Sequence, residues 1–171
     1  MRSSASSSAG ISSAKWTCLT GDLKTARVIV AGGRGLGSRE NFQAMVELAE
    51  MLGAQVGGTR GALDAGWIPH DREIGLSGVR TAPELYLGFG LSGANFHTIG
   101  MEHAKYIVAV NPDPKARIHE LAHCSVLGDA GACIRELTDH LRHLDLRGAH
   151  FDTVSVVKTY FQHMVAGGGQ V

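Results

Sequence analysis

The residues best suited to hold a ligand follow two apolar strands in the second half of the chain. The first strand, Glu84–Gly88, runs into a bend of small residues, and the second, Lys105–Val110, ends at Asn111. The bend contains Gly90, Ser92, Gly93 and Ala94, and a short helical segment after it reaches His97. Backbone N–H groups at such a bend lack internal partners, which is how parallel α/β sheets bind phosphate at the carboxyl ends of their strands. The sequence therefore predicts a nucleotide site here.

A second glycine-rich loop, Gly32–Ser38, follows an earlier strand and contains Arg34. It is not a dinucleotide fingerprint, because neither Gly33 nor Gly35 begins the spacing G-x-G-x-x-G. A guanidinium beside a glycine turn can nevertheless bind a phosphate through two parallel hydrogen bonds. A tight turn that carries a solvated arginine is the alternative interpretation of the same residues.

His119–His123 reads His-Glu-Leu-Ala-His and matches the zinc signature H-E-x-x-H. Zinc hydrolysis needs both histidines on one stable helical face, a third ligand and an open coordination position. Here the segment lies between a loop broken by Pro112 and Pro114 and a short strand, so its helix has at most two turns. His140 and His143 could be proposed as the third zinc ligand, although no downstream residue stands out. We predict no metal site, and a zinc hydrolase remains a rival that metal analysis would decide.

No catalytic nucleophile is predicted. Ser92 lacks the spacing G-x-S-x-G of a hydrolase elbow. The three cysteines, Cys18, Cys124 and Cys133, show no paired spacing, which favours a reduced compartment, the cytoplasm or alternatively the mitochondrial matrix. We therefore expect a binding or carrier protein rather than an enzyme.

Predicted strands alternate with helices along the chain. The strands are Arg27–Ala31, Ala54–Gly57, Glu84–Gly88, Lys105–Val110 and Cys124–Leu127. The helices run from an N-cap at Ser38 to a C-cap at Gly53, around Ala94–Glu102, and over Ala130–Leu144. Thr59–Gly66 is a turn or short helix, Trp67–Arg80 is a loop, and His119–His123 is a short turn. This alternation predicts an α/β fold, a doubly wound parallel sheet in three layers with a Rossmann-like arrangement.

Composition limits the partners. The 171 residues have a formal net charge of zero, and 19% of them are charged, which gives no basic footprint for nucleic acid. No apolar run is long enough to cross a membrane. We predict a disordered serine-rich tail or linker over residues 1–24, one domain over 25–147, and a C-terminal extension over 148–171, of helix or strand type with a frayed end.

Several long segments together resemble the C-terminal, FAD-binding domain of the electron transfer flavoprotein alpha subunit. They are VIVAGGRGLGSRENF, VGGTRGALDAGWIPHD, EIGLSG, APELYLGFGLSGANFH and KYIVAVNPD. The similarity extends from about Arg27 to Asp129, with these segments in the family's order. It implies an FAD-binding electron carrier whose partners are a beta-type subunit, an acyl-CoA-type dehydrogenase as donor, and a quinone-linked or ferredoxin-type acceptor.

The resemblance also assigns roles to individual residues. It places Arg34 along the pyrophosphate, Arg60 against the flavin ring, Ser77 close to flavin N5, and His97 as a donor to the pyrimidine carbonyl. A cation and a histidine there would favour negative charge on the reduced ring. The ribose and adenine would lie against Asn111, Asp129 and Ala130. The remaining FAD contacts implied are Thr59, Ile74, Gly75, Leu76, Gly78, Ser92, Gly93, Ala94, Asn95 and Phe96.

Thr59 and Ser77 replace the family's usual serine and threonine in the implied site and keep the hydroxyl, whereas two other departures there change polarity. Leu76 and Phe96 stand where the family usually has glutamines, so two polar contacts are lost. The rival hypothesis follows from them: a degenerate nucleotide-binding module that acts as an assembly or regulatory partner without flavin. Binding of added FAD distinguishes the two.

Overall fold

The structure is a computed structural model that describes residues 21–144 and 152–166. Its centre is a sheet of five parallel strands in the order β2-β1-β3-β4-β5. The strands are β1 (Val28–Gly32), β2 (Gln55–Gly58), β3 (Leu85–Phe89), β4 (Tyr106–Val110) and β5 (Cys124–Val126). The predicted α/β class with a parallel sheet is confirmed.

Six α-helices are found in the described residues. They are α1 (Arg39–Leu52), α2 (Arg60–Asp64), α3 (Asn95–Thr98), α4 (Ile118–Leu121), α5 (Ala130–His143) and α6 (Thr153–Ala166). The predicted ends of α1 are confirmed: the Ser38 hydroxyl accepts the Asn41 N–H at 3.1 Å, and Gly53 closes the helix at φ 65°. The C-terminal extension over 148–171, predicted as helix or strand, forms the helix α6 over its described part.

The predicted helix around Ala94–Glu102 is shorter than expected. Only Asn95–Thr98 is helical, and turns follow. In these turns Gly100 packs on Gly75, where a Cβ atom on Gly100 would lie 2.5 Å from the backbone nitrogen of Gly75. Glycine at both positions permits this close approach of the two backbones.

Apolar residues alternate between the two faces of the sheet, as expected for strands buried on both sides. Val28 and Val30 face the larger core with α1, α5 and α6, whereas Ile29 and Ala31 face the smaller core with Ile74, Tyr86 and Met101. Leu23 belongs to this smaller core and is 3% exposed, so ordered packing begins before Thr25. The rest of the predicted tail, residues 1–20, lies outside the described residues.

The helix α6 packs against the larger core and contacts β5. Val157 and Phe161 are fully buried, and Lys158 stands over the Tyr106 ring at 4.5 Å. Asp152, just before the helix, pairs with Arg27 at 2.9 Å beside the start of β1. The described part of the predicted extension is thus packed on the sheet.

The order of the strands determines where a ligand can bind. The chain passes from β1 to β2 on one side and continues with β3 on the other side of β1. The loops that follow β1 and β3 therefore leave the sheet in opposite directions, and a crevice opens between them at the carboxyl ends.

Candidate functional site

A cavity of about 260 Å³ lies at this crevice. Its walls come from the loops after β1, β2 and β3, from the segment that precedes β3, and from α3. The lining residues are Gly33, Arg34, Gly35, Thr59, Arg60, Gly61, Glu73, Ile74, Gly90, Ser92, Gly93, Ala94, Phe96 and His97. The structure therefore brings together residues from most of the segments in which the sequence predicted a ligand site.

The loops after β1 and β3 lock together through their backbones. The Gly33 N–H donates to Phe89 O at 3.1 Å, and the Gly35 N–H donates to Gly90 O at 3.0 Å. A Cβ atom on Gly35 would lie 2.6 Å from Gly90 O. Only glycine permits this approach, so the glycines after β1 build one wall of the cavity.

Arg34 crosses from this loop toward α2. A Cβ atom on Gly61 would lie 2.7 Å from both Cγ and Cδ of Arg34, so the aliphatic part of the arginine packs on the bare glycine. The Arg34 residue is exposed and lines the cavity, so its guanidinium is available to an anion.

The loop after β3 offers unpaired backbone donors. Among the described residues no acceptor pairs with the N–H groups of Ser92, Gly93 or Ala94. Gly93 has φ 87°, and a Cβ there would collide with the backbone nitrogen of Ile118. Ser92, Gly93 and Ala94 all line the cavity, so a loop with free backbone donors, of the kind that binds phosphate, borders it.

Arg60 begins α2, and Thr59 caps that helix by accepting the Ala62 N–H at 3.2 Å. The Arg60 guanidinium donates to Asp64 at 3.0 Å, and both side chains are more than half exposed. The Asp64 carboxylate, with a smaller contribution from Glu73, raises the pKa of Arg60. The positive charge at this wall is therefore shared with carboxylates.

His97 is buried, and both its ring nitrogens have partners in the protein. Nδ1 lies 2.9 Å from Ile74 O, and Nε2 lies 2.5 Å from the Tyr86 hydroxyl. Since a carbonyl only accepts, Nδ1 carries the proton and Nε2 accepts from the phenol, whose pKa burial raises. Burial lowers the pKa of His97 to about 4, so the ring is neutral at pH 7.

Glu73 has a buried carboxylate in the cavity wall, and sequence reasoning did not assign it a role. It is 5% exposed and accepts a hydrogen bond from Ser77 at 2.7 Å. Ser77, Gly75 and Gly78, which the resemblance placed at the flavin, lie in a turn outside the cavity lining, closed by the Gly78 N–H donating to Gly75 O at 3.2 Å. The position of Glu73 in the sequence could have indicated a role, because Glu73 directly precedes the segment Ile74-Gly75-Leu76-Ser77-Gly78, which the resemblance places at the flavin. The contact of Tyr86 with His97 was not predicted either, because a tyrosine within a strand is expected to be a core residue.

Phe96, one of the two apolar departures, lines the cavity, whereas Leu76, the other, lies outside the lining. The Leu76 N–H donates to Phe96 O at 2.7 Å, so the backbone fixes them as neighbours. Leu76 is 53% exposed and Phe96 is 72% exposed. Both side chains are exposed, so neither is packed into a core.

The residues predicted at the adenosine end lie outside the cavity lining. The Asn111 amide donates to Leu91 O at 2.8 Å, and its oxygen accepts the Asp113 N–H at 2.8 Å. Asp129 caps α5 by accepting the Ala132 N–H at 2.8 Å, and Ala130 is buried. Asn95, the first residue of α3, also lies outside the lining.

The zinc signature does not assemble a metal site among the described residues. His123 lies beyond the four-residue helix α4, accepts the Ile107 N–H at 2.9 Å through Nδ1, and stacks on Tyr106. Over residues 21–144 and 152–166, no group of three or more His, Cys, Asp or Glu side chains is placed to hold a metal ion.

Comparison with known proteins points to the same cavity. The family model described as the electron transfer flavoprotein FAD-binding domain matches residues 22–102, the stretch that supplies every lining residue. Over residues 22–102 the chain is similar to the electron transfer flavoprotein FAD-binding domain. The resemblance seen in the sequence is thereby confirmed, and FAD is the cofactor that defines this family of domains.

Relatives named as electron transfer flavoprotein alpha subunits share almost half of their aligned residues with this chain. A probable mitochondrial subunit from Caenorhabditis elegans is 48% identical over 68% of this chain and 35% of its own length. The subunit from Paracoccus denitrificans is 47% identical over 70% of this chain and 39% of its own length. The subunit from Bacillus subtilis is 45% identical over 73% of this chain and 38% of its own length. The chain thus spans less than two fifths of these relatives.

Proposed function

We propose that this chain binds FAD in the cavity and serves as the electron-carrying part of an electron transfer flavoprotein alpha-type subunit. The observation that supports this most directly is the composition of the cavity wall. Interlocked glycines, unpaired N–H groups and an exposed guanidinium converge within the stretch that matches the FAD-binding family. These groups suit the two negative charges of a pyrophosphate.

The phosphate end is assigned to Arg34 and to the backbone of Ser92, Gly93 and Ala94. Arg34 would supply a forked, charge-assisted contact, and the backbone groups would supply neutral donors. The bare surface of Gly61 keeps the arginine chain in place without filling the space that the cofactor needs.

The ring end is assigned to Thr59, Arg60, Ser77 and His97. Arg60 would lie along the ring while it remains paired with Asp64. Donation from His97 to the pyrimidine carbonyl stays a prediction; it requires Nε2 to gain a proton and leave its bond with the Tyr86 hydroxyl. Ile74, Gly75, Leu76, Gly78, Asn95 and Phe96 complete the proposed contacts there, and Asn111, Asp129 and Ala130 remain proposed for the adenosine end.

FAD, when bound, supplies a ring that takes up and releases electrons. The protein's own residues bind the phosphates, orient the ring and set the charge around it. No nucleophile or general base is required for that role, so we propose a carrier rather than an enzyme.

The proposed partners are a beta-type subunit, an acyl-CoA-type dehydrogenase that donates electrons, and a quinone-linked or ferredoxin-type protein that accepts them. The proposed location is the cytoplasm or the mitochondrial matrix. Among the described residues, no helix is both long and apolar enough to cross a membrane.

A second candidate function is a nucleotide-binding module that no longer retains flavin. The exposed apolar side chains of Leu76 and Phe96 favour it, because Phe96 lines the cavity and both residues stand where the family resemblance implies polar contacts to the cofactor. Titration of the purified chain with FAD separates the two. Quenched flavin fluorescence supports the carrier, and a failure to bind FAD supports the module.

Replacing Arg34 with methionine should weaken FAD binding by about 10- to 100-fold, because a charge-assisted hydrogen bond contributes about 1.5–3 kcal/mol. Methionine keeps the aliphatic chain that packs on Gly61, so the fold should be unaffected. The dissociation constant from fluorescence titration is the measurement.

The matched control is Arg142→Met, which removes an arginine from α5, outside the cavity. It should bind FAD like the unsubstituted chain. Equal affinity for FAD in the two variants would contradict the placement of the pyrophosphate against Arg34.

A further inference from the structure

Glu73 places a carboxylate side chain in the wall of the cavity, and hydrogen bonds hold its main chain. Val79 N–H donates to Glu73 O at 2.8 Å, and Glu73 N–H donates to His70 O at 3.2 Å. An isolated bridge also pairs Glu73 with Gly58 at the end of β2. These contacts fix the main chain of Glu73 beside the end of β2.

Within residues 21–144 and 152–166 the Glu73 side chain has one hydrogen-bond partner, the Ser77 hydroxyl at 2.7 Å, and it also interacts electrostatically with Arg60. No donor to its other oxygen, Oε1, is found among the residues that the structure describes. A hydroxyl donates one hydrogen bond and does not neutralise a carboxylate. The negative charge of Glu73 therefore acts on whatever occupies the cavity.

The neighbouring charges do not cancel it. Arg60 is paired with Asp64, and this pair is exposed, so solvent screens it. His97 is neutral at pH 7 because burial lowers its pKa to about 4. Asp64 and Glu73 are the two carboxylates that act on Arg60, and Arg34 packs on the neighbouring Gly61. Glu73 is the most buried of these four charged residues, so solvent screens its charge the least.

We propose that Glu73 sets the redox potential of the bound cofactor by opposing negative charge on its ring. This inference rests on the proposed function, and in particular on the ring lying beside Arg60, Ser77 and His97. The proposed effect of Glu73 is opposite to that expected for Arg60 and His97 from the resemblance, which would stabilise negative charge on the reduced ring.

Reduction adds two electrons and one proton to oxidised FAD; the proton bonds to N5 and the ring system keeps one negative charge. In the test, sodium dithionite supplies the electrons and the solvent supplies the proton. A carboxylate beside the ring makes this charged product less stable, and removing the carboxylate should stabilise it.

The decisive variant is Glu73→Gln, which removes the charge and retains an oxygen that can accept from Ser77. We expect the equilibrium constant for two-electron reduction of bound FAD to rise about tenfold, a potential about 30 mV higher. The ratio of dissociation constants for oxidised and reduced FAD should change by the same factor. Glu136→Gln, the same chemical change on α5 outside the cavity, should leave both quantities unchanged.

An unchanged or lower potential in Glu73→Gln would overturn the inference, as would an equal loss of affinity for both redox forms, which a purely structural role predicts. If that variant does not fold, Glu73→Met tests the same loss of charge with a chain of similar length. Failure of the unsubstituted chain to bind FAD at all would instead contradict the proposed function, so the two failures are distinguishable.

Discussion

Replacing Gly90 with alanine should destabilise the domain by about 4 kcal/mol and abolish measurable FAD binding. Gly90 has φ 68°, a left-handed conformation that costs an L-residue about 1–2 kcal/mol. A Cβ atom there would also lie 2.5 Å from Leu36 N and 2.6 Å from the carbonyl carbon of Gly35. Both are backbone atoms, so relief requires the loop after β1 to move.

Gly37→Ala is the matched control for this prediction. Gly37 has φ 82°, and a Cβ there would meet nothing within 4 Å. It should cost only the conformational strain, about 1–2 kcal/mol, and leave FAD affinity unchanged. Urea denaturation and FAD titration of both variants give the two quantities. Equal destabilisation by the two substitutions would show that the loops after β1 and β3 do not interlock as described.

Much of the fold could be predicted from the sequence because its signals are local. The glycines after Ala31 and Gly88 follow β-branched or aliphatic runs, and parallel strands bring all carboxyl ends to one edge. Strand type, strand order along the chain and the position of the site follow from this local pattern. The caps of α1 at Ser38 and Gly53 were predictable for the same reason, since each depends on one residue's chemistry.

What the sequence pattern did not predict depends on contacts between distant segments. The turns that follow α3 bring Gly100 against Gly75, 25 positions earlier in the chain. The neutral state of His97 follows from burial beside Tyr86 and from the Ile74 carbonyl. Glu73 belongs to a segment predicted as a loop, and only the tertiary structure brings it into the cavity wall. None of these features has a local periodicity, because each is set by tertiary packing.

Stability should fall as the pH is lowered from about 6.5 to about 4, with His97 contributing about 3 kcal/mol of that loss. Burial lowers the pKa of His97 in the folded state to about 4, whereas an unfolded histidine keeps its ordinary value of about 6.5. Above both values neither state binds the proton, and the full stability is present. Between them the unfolded chain is protonated and the folded chain is not, so acid favours unfolding; below about pH 4 this contribution levels off.

The substitution His97→Gln should remove most of this dependence, because glutamine does not titrate and has both a donor for Ile74 O and an acceptor for the Tyr86 hydroxyl. His103→Gln, at a side chain that is 79% exposed, should keep the dependence of the unsubstituted chain. Free energies of unfolding from urea curves between pH 7.5 and 4 test the difference. If the slope with pH is the same in His97→Gln as in the unsubstituted chain, His97 is not the buried neutral group that closes the cavity wall.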